Sequence, residues 1–243
     1  MTSTVEALWL FDLDGTVLTV NSFPLWAAEM LLGRLPYASP GQRLSVAARC
    51  AAALARRKLL HDSHARLRRT LQQLWTEDPP GRSDARATWL VERLAGHVRP
   101  SLHAVLDDVA CGRADAILTT AAAAEYAVPL ARRLGFRHVI ATPGGGRTDS
   151  MDNSGEIKRE RTLAYIEALG WSGRSRILFA DTADDLPLAG ACDALVWLGA
   201  ATDVPELPPN RSGARGLLLA ADIHSAAAHD WVINHSGGAH ACT

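Results

Sequence analysis

The chain has 243 residues, 48% hydrophobic and 21% charged, and its 25 Lys and Arg against 26 Asp and Glu give a formal net charge of -1. That length holds one large domain or a core with a smaller insertion, and the composition excludes a disordered chain. The balanced charge carries no signature of a nucleic-acid or acidic-membrane partner, and no apolar run reaches the ~20 residues that cross a bilayer.

The first element is an apolar run, Ala7 to Phe11, read as a strand buried on both faces. It runs into Asp12-Leu13-Asp14-Gly15-Thr16. In extended chain the side-chain period of two aims Asp12 and Asp14 the same way, and Gly15 marks the turn out of the sheet. Two carboxylates at the end of a buried strand are costly to desolvate without a cation, so a metal ion, a lysine or both are expected beside them.

After Leu18 the pattern becomes helical. Phe23 to Leu35, Gln42 to Leu60, His64 to Trp75 and Asp84 to His97 each read as amphipathic helices, separated at Pro36, Pro40, Asp78-Pro79-Pro80-Gly81 and Pro100. Asp84 and Ser101 are predicted N-caps. Roughly eighty residues of helix without a strand point to a helical unit inserted after the first strand.

From Ser101 helix and strand alternate: helix Leu102 to Ala110, strand Ala114 to Leu118, helix Ala122 to Leu134, strand Arg137 to Ala141. A polar, glycine-rich loop spans Pro143 to Ser154, and its Gly144-Gly145-Gly146 run lacks P-loop spacing and reads as a turn. Helix Glu156 to Leu169, strand Arg176 to Ala180, helix Asp185 to Gly190, strands Ala194 to Leu198 and Gly216 to Leu219, and helix Ile223 to Ile233 complete the series, with a frayed tail over 234–243. The predicted fold class is α/β: a Rossmann-like, doubly wound parallel sheet (residues 1–19 and 99–243) with an inserted helical cap (20–98).

In such sheets chemistry gathers beyond the carboxyl ends of the strands. Those ends collect Asp12 and Asp14 from the first strand, Thr119, Thr120 and Ala121 from the second, and Asp181, Asp184 and Asp185 from the fourth. Lys158, one of only two lysines beside Lys58, opens the helix after the third strand. Carboxylates from two strand ends suit a hard cation such as Mg²⁺, while a lysine and a threonine hydroxyl suit a phosphoryl group.

These segments resemble the motifs of the haloacid dehalogenase superfamily, in particular its phosphoserine-phosphatase-like branch with a helical cap between the first two motifs. The four are Asp12-Leu13-Asp14-Gly15-Thr16, Thr120-Ala121-Ala122 followed by Leu134-Gly135, Gly155-Glu156-Ile157-Lys158, and Asp181 to Asp185 before Leu186-Pro187-Leu188. The resemblance implies a phosphatase acting on a small-molecule phosphomonoester. Asp12 is then the nucleophile that forms an aspartyl-phosphate, and Asp14 the general acid and base. Thr120, Ala121 and Lys158 bind the phosphoryl group. Asp12, the Asp14 backbone carbonyl and Asp181 hold Mg²⁺, with Thr16, Asp184 and Asp185 in support; Asp185 completes the metal shell or orients Lys158. Asp14 favours phosphoryl transfer from oxygen, because members cleaving carbon–halogen or phosphonate bonds lack that aspartate.

Phosphoserine phosphatases carry a glutamate nine residues after the nucleophile, where this chain has Asn21, and a Ser-Gly-Gly second motif where it has Thr120-Ala121-Ala122. The substrate therefore stays open, with Asn21, Phe23 and Trp26, just past the hinge, as specificity candidates. A phosphotransferase or phosphomutase using the same intermediate is the alternative enzyme, and a non-catalytic phospho-aspartyl signalling or binding module the alternative from another class. The arginines at 56, 57, 66, 68 and 69 form a basic cluster on the cap helices, mostly a solvated face. His61 and His64 read as solvated or capping residues rather than a metal pair. Cys50, Cys111, Cys192 and Cys242 form no Cys-x-x-Cys pair and no signal peptide precedes Met1-Thr2-Ser3, so reduced thiols in a cytoplasmic protein are expected.

Overall fold

The structure, a computed structural model, describes residues 7–32, 39–77, 82–144, 152–203 and 217–219. The predicted helix 223–233, the tail, Cys242 and the segment 145–151 lie outside these residues.

The apolar runs form one sheet of six parallel strands in the order β3-β2-β1-β4-β5-β6. They are β1 Leu8–Phe11, β2 Asp115–Ala123, β3 His138–Thr142, β4 Arg176–Ala180, β5 Ala194–Trp197 and β6 Leu217–Leu219. In β1 every side chain is buried, and the period of two divides them: Trp9 and Phe11 pack into one apolar cluster, Leu8 and Leu10 into the other. Phe11 stacks on Phe179 of β4 at 4.3 Å between ring centroids. The chain winds outward from β1 through β2 and β3, then returns to β4 on the other side of β1. The order in which strands are added therefore reverses at β1, where the carboxyl ends of β1, β2 and β4 border one crevice.

Among the described residues four helices lie between β1 and the 3₁₀ turn at Pro100: α1 Ser22–Leu31, α2 Pro40–Leu60, α3 His64–Thr76 and α4 Arg82–Ala95. Their starts follow local chemistry. Asn21, Ser39 and Ser63 cap α1, α2 and α3 with side-chain oxygens, and Ser39 forms a capping box with Gln42. Two predicted caps fail. Asp84 lies inside the first turn of α4, and Ser101 sits in a 3₁₀ turn, Pro100–Leu102. The later helices are α5 His103–Ala110, α6 Ala124–Arg133, α7 Gly155–Ala168 and α8 Leu186–Ala189.

The two connections that carry the four-helix segment run side by side. Leu18 and Val98 form an antiparallel bridge, Thr19 N–H donates to the His97 carbonyl at 2.9 Å, and Arg99 N–H to the Val17 carbonyl at 2.8 Å. Beyond them the interior is continuous. Trp26, Met30, Leu71, Trp75, Leu90 and Leu94 share one buried cluster with Phe11, Leu118, Tyr126 and Leu130. Each such side chain stabilises the fold by about 1.5–3 kcal/mol relative to exposure, so the helical segment is held by apolar contact with the sheet layer.

The structure also revises one boundary. β2 continues to Ala123, past the predicted end at Leu118, and α6 starts at Ala124. Alanine favours helix by propensity, but β3 offers ladder partners, and the register shifts between Thr119 and Ala123. No helix among the described residues is long and apolar enough to cross a membrane.

Candidate active site

Asp12 immediately follows β1 and is 8% exposed. Lys158, one turn into α7, reaches it from across the crevice: the Lys158 ammonium donates to Asp12 Oδ1 at 2.6 Å and lies 2.6 Å from Asp185 Oδ1. Burial alone would lower the lysine's pKa, but the flanking carboxylates of Asp12 and Asp185 outweigh it and hold the ammonium charged. Asp185 is buried, and its pKa is pushed up by that burial, against the pull of Lys158. Asp184 is exposed. Of the two aspartates, the fold brings Asp185 to the lysine.

Asp14 Oδ1 accepts the Ser22 backbone N–H at 2.9 Å. Burial pushes the Asp14 carboxyl up to about 6, the Ser22 hydrogen bonds pull it down, and the charges of Asp12 and Asp181 add to the rise. Asp181, at the end of β4, accepts the Thr16 hydroxyl at 3.0 Å, and its pKa is raised first by burial and then by the Asp12 charge. Gly15 turns the chain between them at φ +78°, and a Cβ there would overlap the Asp181 carboxylate. A Cβ at Gly199 would overlap the Asp181 carbonyl. Arg99, in the returning connection, braces this turn: its Nε donates to the Thr16 carbonyl at 2.9 Å and its Nη2 to the Gly15 carbonyl.

Two carboxylates, Asp12 and Asp185, thus contact the lysine, while Asp14 and Asp181 feel the charge of Asp12; the carboxyls of Asp14, Asp181 and Asp185 are raised by burial, the electrostatic condition that a bound cation relieves. Among the described residues no group of three or more His, Cys, Asp or Glu side chains is arranged to hold a metal ion. Asp12 and Asp181 offer two carboxylates at the ends of the neighbouring strands β1 and β4, and the Asp181 carboxylate fills the space that a Cβ on Gly15 would need. Such a sparse oxygen set fits Mg²⁺, which is held by one or two carboxylates and keeps several waters.

Thr120 is buried in the extension of β2, its hydroxyl accepting the Ala122 N–H at 3.0 Å, while the Ala121 carbonyl accepts the Thr142 hydroxyl at 2.9 Å. Thr119 points elsewhere and pairs with the Thr162 hydroxyl at 2.9 Å. Asn153 ties this edge together, donating from Nδ2 to Thr119 Oγ1 and to the Thr120 carbonyl at 3.2 and 3.1 Å. Sequence reading places Asn153 in a loop and passes over Arg99. Their partners are distant in sequence, and the only local signals are a position just before the lysine-bearing helix and one beside the Pro100 boundary.

The specificity candidates separate. The Asn21 side chain is occupied as the α1 cap, accepting the Phe23 N–H at 2.9 Å. Trp26 is fully buried against Trp75 and Tyr126, so its ring belongs to the interior rather than to an accessible substrate surface. Phe23 is half-buried and lines a cavity of about 870 Å³ with Ala27, Leu31, Leu54, Arg57 and His64, and none of Asp12, Asp14, Thr120, Lys158 and Asp181 lines it. In the basic cluster Arg56 and Arg66 pair with Asp62, whereas Arg68 is buried and paired with Asp152. Gln72, one turn further along α3, donates to Glu125 at 3.0 Å. His61 caps the end of α2 at φ 54°, and His64, exposed, is the first residue of α3 after its Ser63 cap.

A family model described as haloacid dehalogenase-like hydrolase matches residues 9–190. Comparison with curated proteins gives no significant match. Among solved structures, a protein of unknown function from Bordetella pertussis Tohama I superimposes with a TM-score of 0.64 at 18% identity, covering 82% of this chain and 92% of its own. A probable phosphoserine phosphatase from Vibrio cholerae gives 0.58 at 11% identity, over 96% of this chain and 67% of that one. Cytosolic 5'-nucleotidase IIIB bound to cytidine gives 0.55 at 11% identity, over 96% and 86%. At these identities the likeness is one of fold.

Proposed function

The chain belongs to the haloacid dehalogenase-like hydrolase family, and from that premise we infer that it is a Mg²⁺-dependent phosphatase hydrolysing a small-molecule phosphomonoester. The observation that carries the reading is the buried Lys158 ammonium, 2.6 Å from both Asp12 and Asp185, beside a second aspartate at position 14.

In this reading Asp12 attacks phosphorus in line and becomes an aspartyl-phosphate, dividing one difficult displacement into two easier ones. Asp14 protonates the departing oxygen, then takes a proton from the water that hydrolyses the intermediate. A lysine has three N–H donors. With two facing Asp12 and Asp185, the third is assigned to a phosphoryl oxygen, and Thr120 and the backbone at Ala121 to the others. Asp12, Asp181 and the Asp14 carbonyl would hold Mg²⁺, which supplies charge neutralisation at the phosphoryl group. Thr16 orients Asp181, and Asp185 orients Lys158.

The helical segment 20–98 is assigned as the lid over a core of 1–19 and 99–243, hinged at 17–21 and 97–100. The setting is assigned as cytoplasmic, in keeping with the absence of a disulfide among the described cysteines.

The test is Asp12→Asn with p-nitrophenyl phosphate. Turnover should fall by at least ~10³-fold while the melting transition is kept, and wild-type release of inorganic phosphate by the variant would remove the nucleophile. Release of phosphate to water, rather than to an added alcohol, separates a phosphatase from a phosphotransferase.

A further inference from the structure

Ser22, the first residue of α1, touches both halves of the molecule. Its backbone N–H, one of the donors a helix start leaves without an intrahelical partner, goes to Asp14 Oδ1 at 2.9 Å. Its hydroxyl meets the Tyr126 hydroxyl of α6 at 2.9 Å, and both residues are fully buried. One turn further along α1, Trp26 packs on the Tyr126 ring at 5.3 Å between centroids. Tyr126 therefore grips the start of α1 twice, by a hydrogen bond and by an aromatic face. Because the α1 amide that holds Asp14 belongs to the residue Tyr126 grips, the carboxylate's rotamer depends on α1 staying seated on α6.

We propose that Tyr126 is a positioning residue: through Ser22 it fixes the Asp14 carboxyl group in the orientation that delivers a proton to the leaving oxygen. The inference rests on the reading of Asp14 as the general acid and adds a residue that does not itself reach the substrate. Loss of the Tyr126 hydroxyl leaves the Ser22 hydroxyl with the Asp14 carboxylate as its remaining partner and lets the α1 start drift. An acid displaced by a fraction of an ångström costs most where the leaving group needs the proton most.

The experiment compares kcat/KM for p-nitrophenyl phosphate, whose leaving group departs readily, with phenyl phosphate, whose leaving group is more basic. In Tyr126→Phe, which keeps the ring on Trp26, the ratio of the two constants should shift about tenfold in favour of p-nitrophenyl phosphate, a fraction of what general acid catalysis supplies. Ser22→Ala, which loses the same bond together with the hydroxyl's own contact to Asp14, should shift the ratio in the same direction and at least as far, and it reads the link through Ser22 if Tyr126→Phe fails to fold. A general loss of folded enzyme lowers both constants alike and leaves the ratio where it was, which would overturn the proposal.

Asp14→Asn separates the two readings. It should shift the ratio further than Tyr126→Phe, and adding Tyr126→Phe to it should change nothing more. An unchanged ratio in Asp14→Asn removes the acid and the proposal together. A shifted ratio there, with none in Tyr126→Phe and Ser22→Ala, removes the proposal alone.

Discussion

Lys158 and Asp185 meet at 2.6 Å inside the protein, while Asp184, one residue earlier, lies in solvent. The 3₁₀ turn Ala183–Asp185 after β4 makes the difference, turning one carboxylate inward and its neighbour out.

Lys158→Met should therefore leave Asp12 and Asp185 buried without their cation. Removing one partner from a buried ion pair costs about 3–5 kcal/mol, and urea unfolding should show a loss of that size. Asp184→Asn should stay within about 0.5 kcal/mol of the parent. Equal midpoints for Lys158→Met and the parent would show that the buried charges are relieved another way.

Gly15→Ala places a methyl group where the Asp181 carboxylate sits, at a backbone angle that L-residues resist. The strained backbone costs about 1–3 kcal/mol. The displaced carboxylate should also raise the Mg²⁺ concentration for half-maximal activity, by about tenfold, as for other disturbances of a metal shell. A magnesium titration superimposing on that of the parent would place the ion away from Asp181.

Burial lifts the Asp14 carboxyl to about 6, so the group keeps its proton well above the ordinary carboxylate range. The sign follows: below that value the acid is loaded, and above it the carboxylate has no proton to give. For phenyl phosphate kcat/KM should be level on the acid side and fall toward tenfold per pH unit above about 6. A descending limb near 4, the range of an exposed aspartate, would mean that the acid acts from an open, solvated position.

Excess chelator should stop turnover, and added Mg²⁺ should restore it, with circular dichroism unchanged throughout because the sheet is held by apolar contacts. Ca²⁺, with its longer bonds and looser geometry, should restore little. Persistent turnover in chelator would exclude the metal role.

The legible parts of this molecule are those written in short-range pattern. Apolar runs mark β1 and β4 because both faces of the sheet are covered, and the aspartates beyond them stand out against that background. Helix starts at Ser39 and Ser63 follow from residues within one turn. Other features depend on partners far along the chain. Ala122 and Ala123 read as helix until β3 supplies a ladder, and Trp26 reads as a specificity candidate until Tyr126 and Trp75 close over it. Arg99, Asn153 and Ser22 have unremarkable neighbours in sequence; their roles lie in contacts spanning 83, 34 and 104 residues.

The paired connections at Thr19 and His97 carry one last implication, for how this architecture tolerates rebuilding. Because the outgoing and returning strands already run as a ribbon, a tight hairpin turn would join them and delete the four intervening helices without stretching the chain. The obstacle is the surface left behind: Leu118, Tyr126 and Leu130 would lose their cover and become a sticky face. Transplanting these helices onto a related scaffold, or trimming them away, thus calls for redesign of the α6 surface beneath them rather than of the splice points.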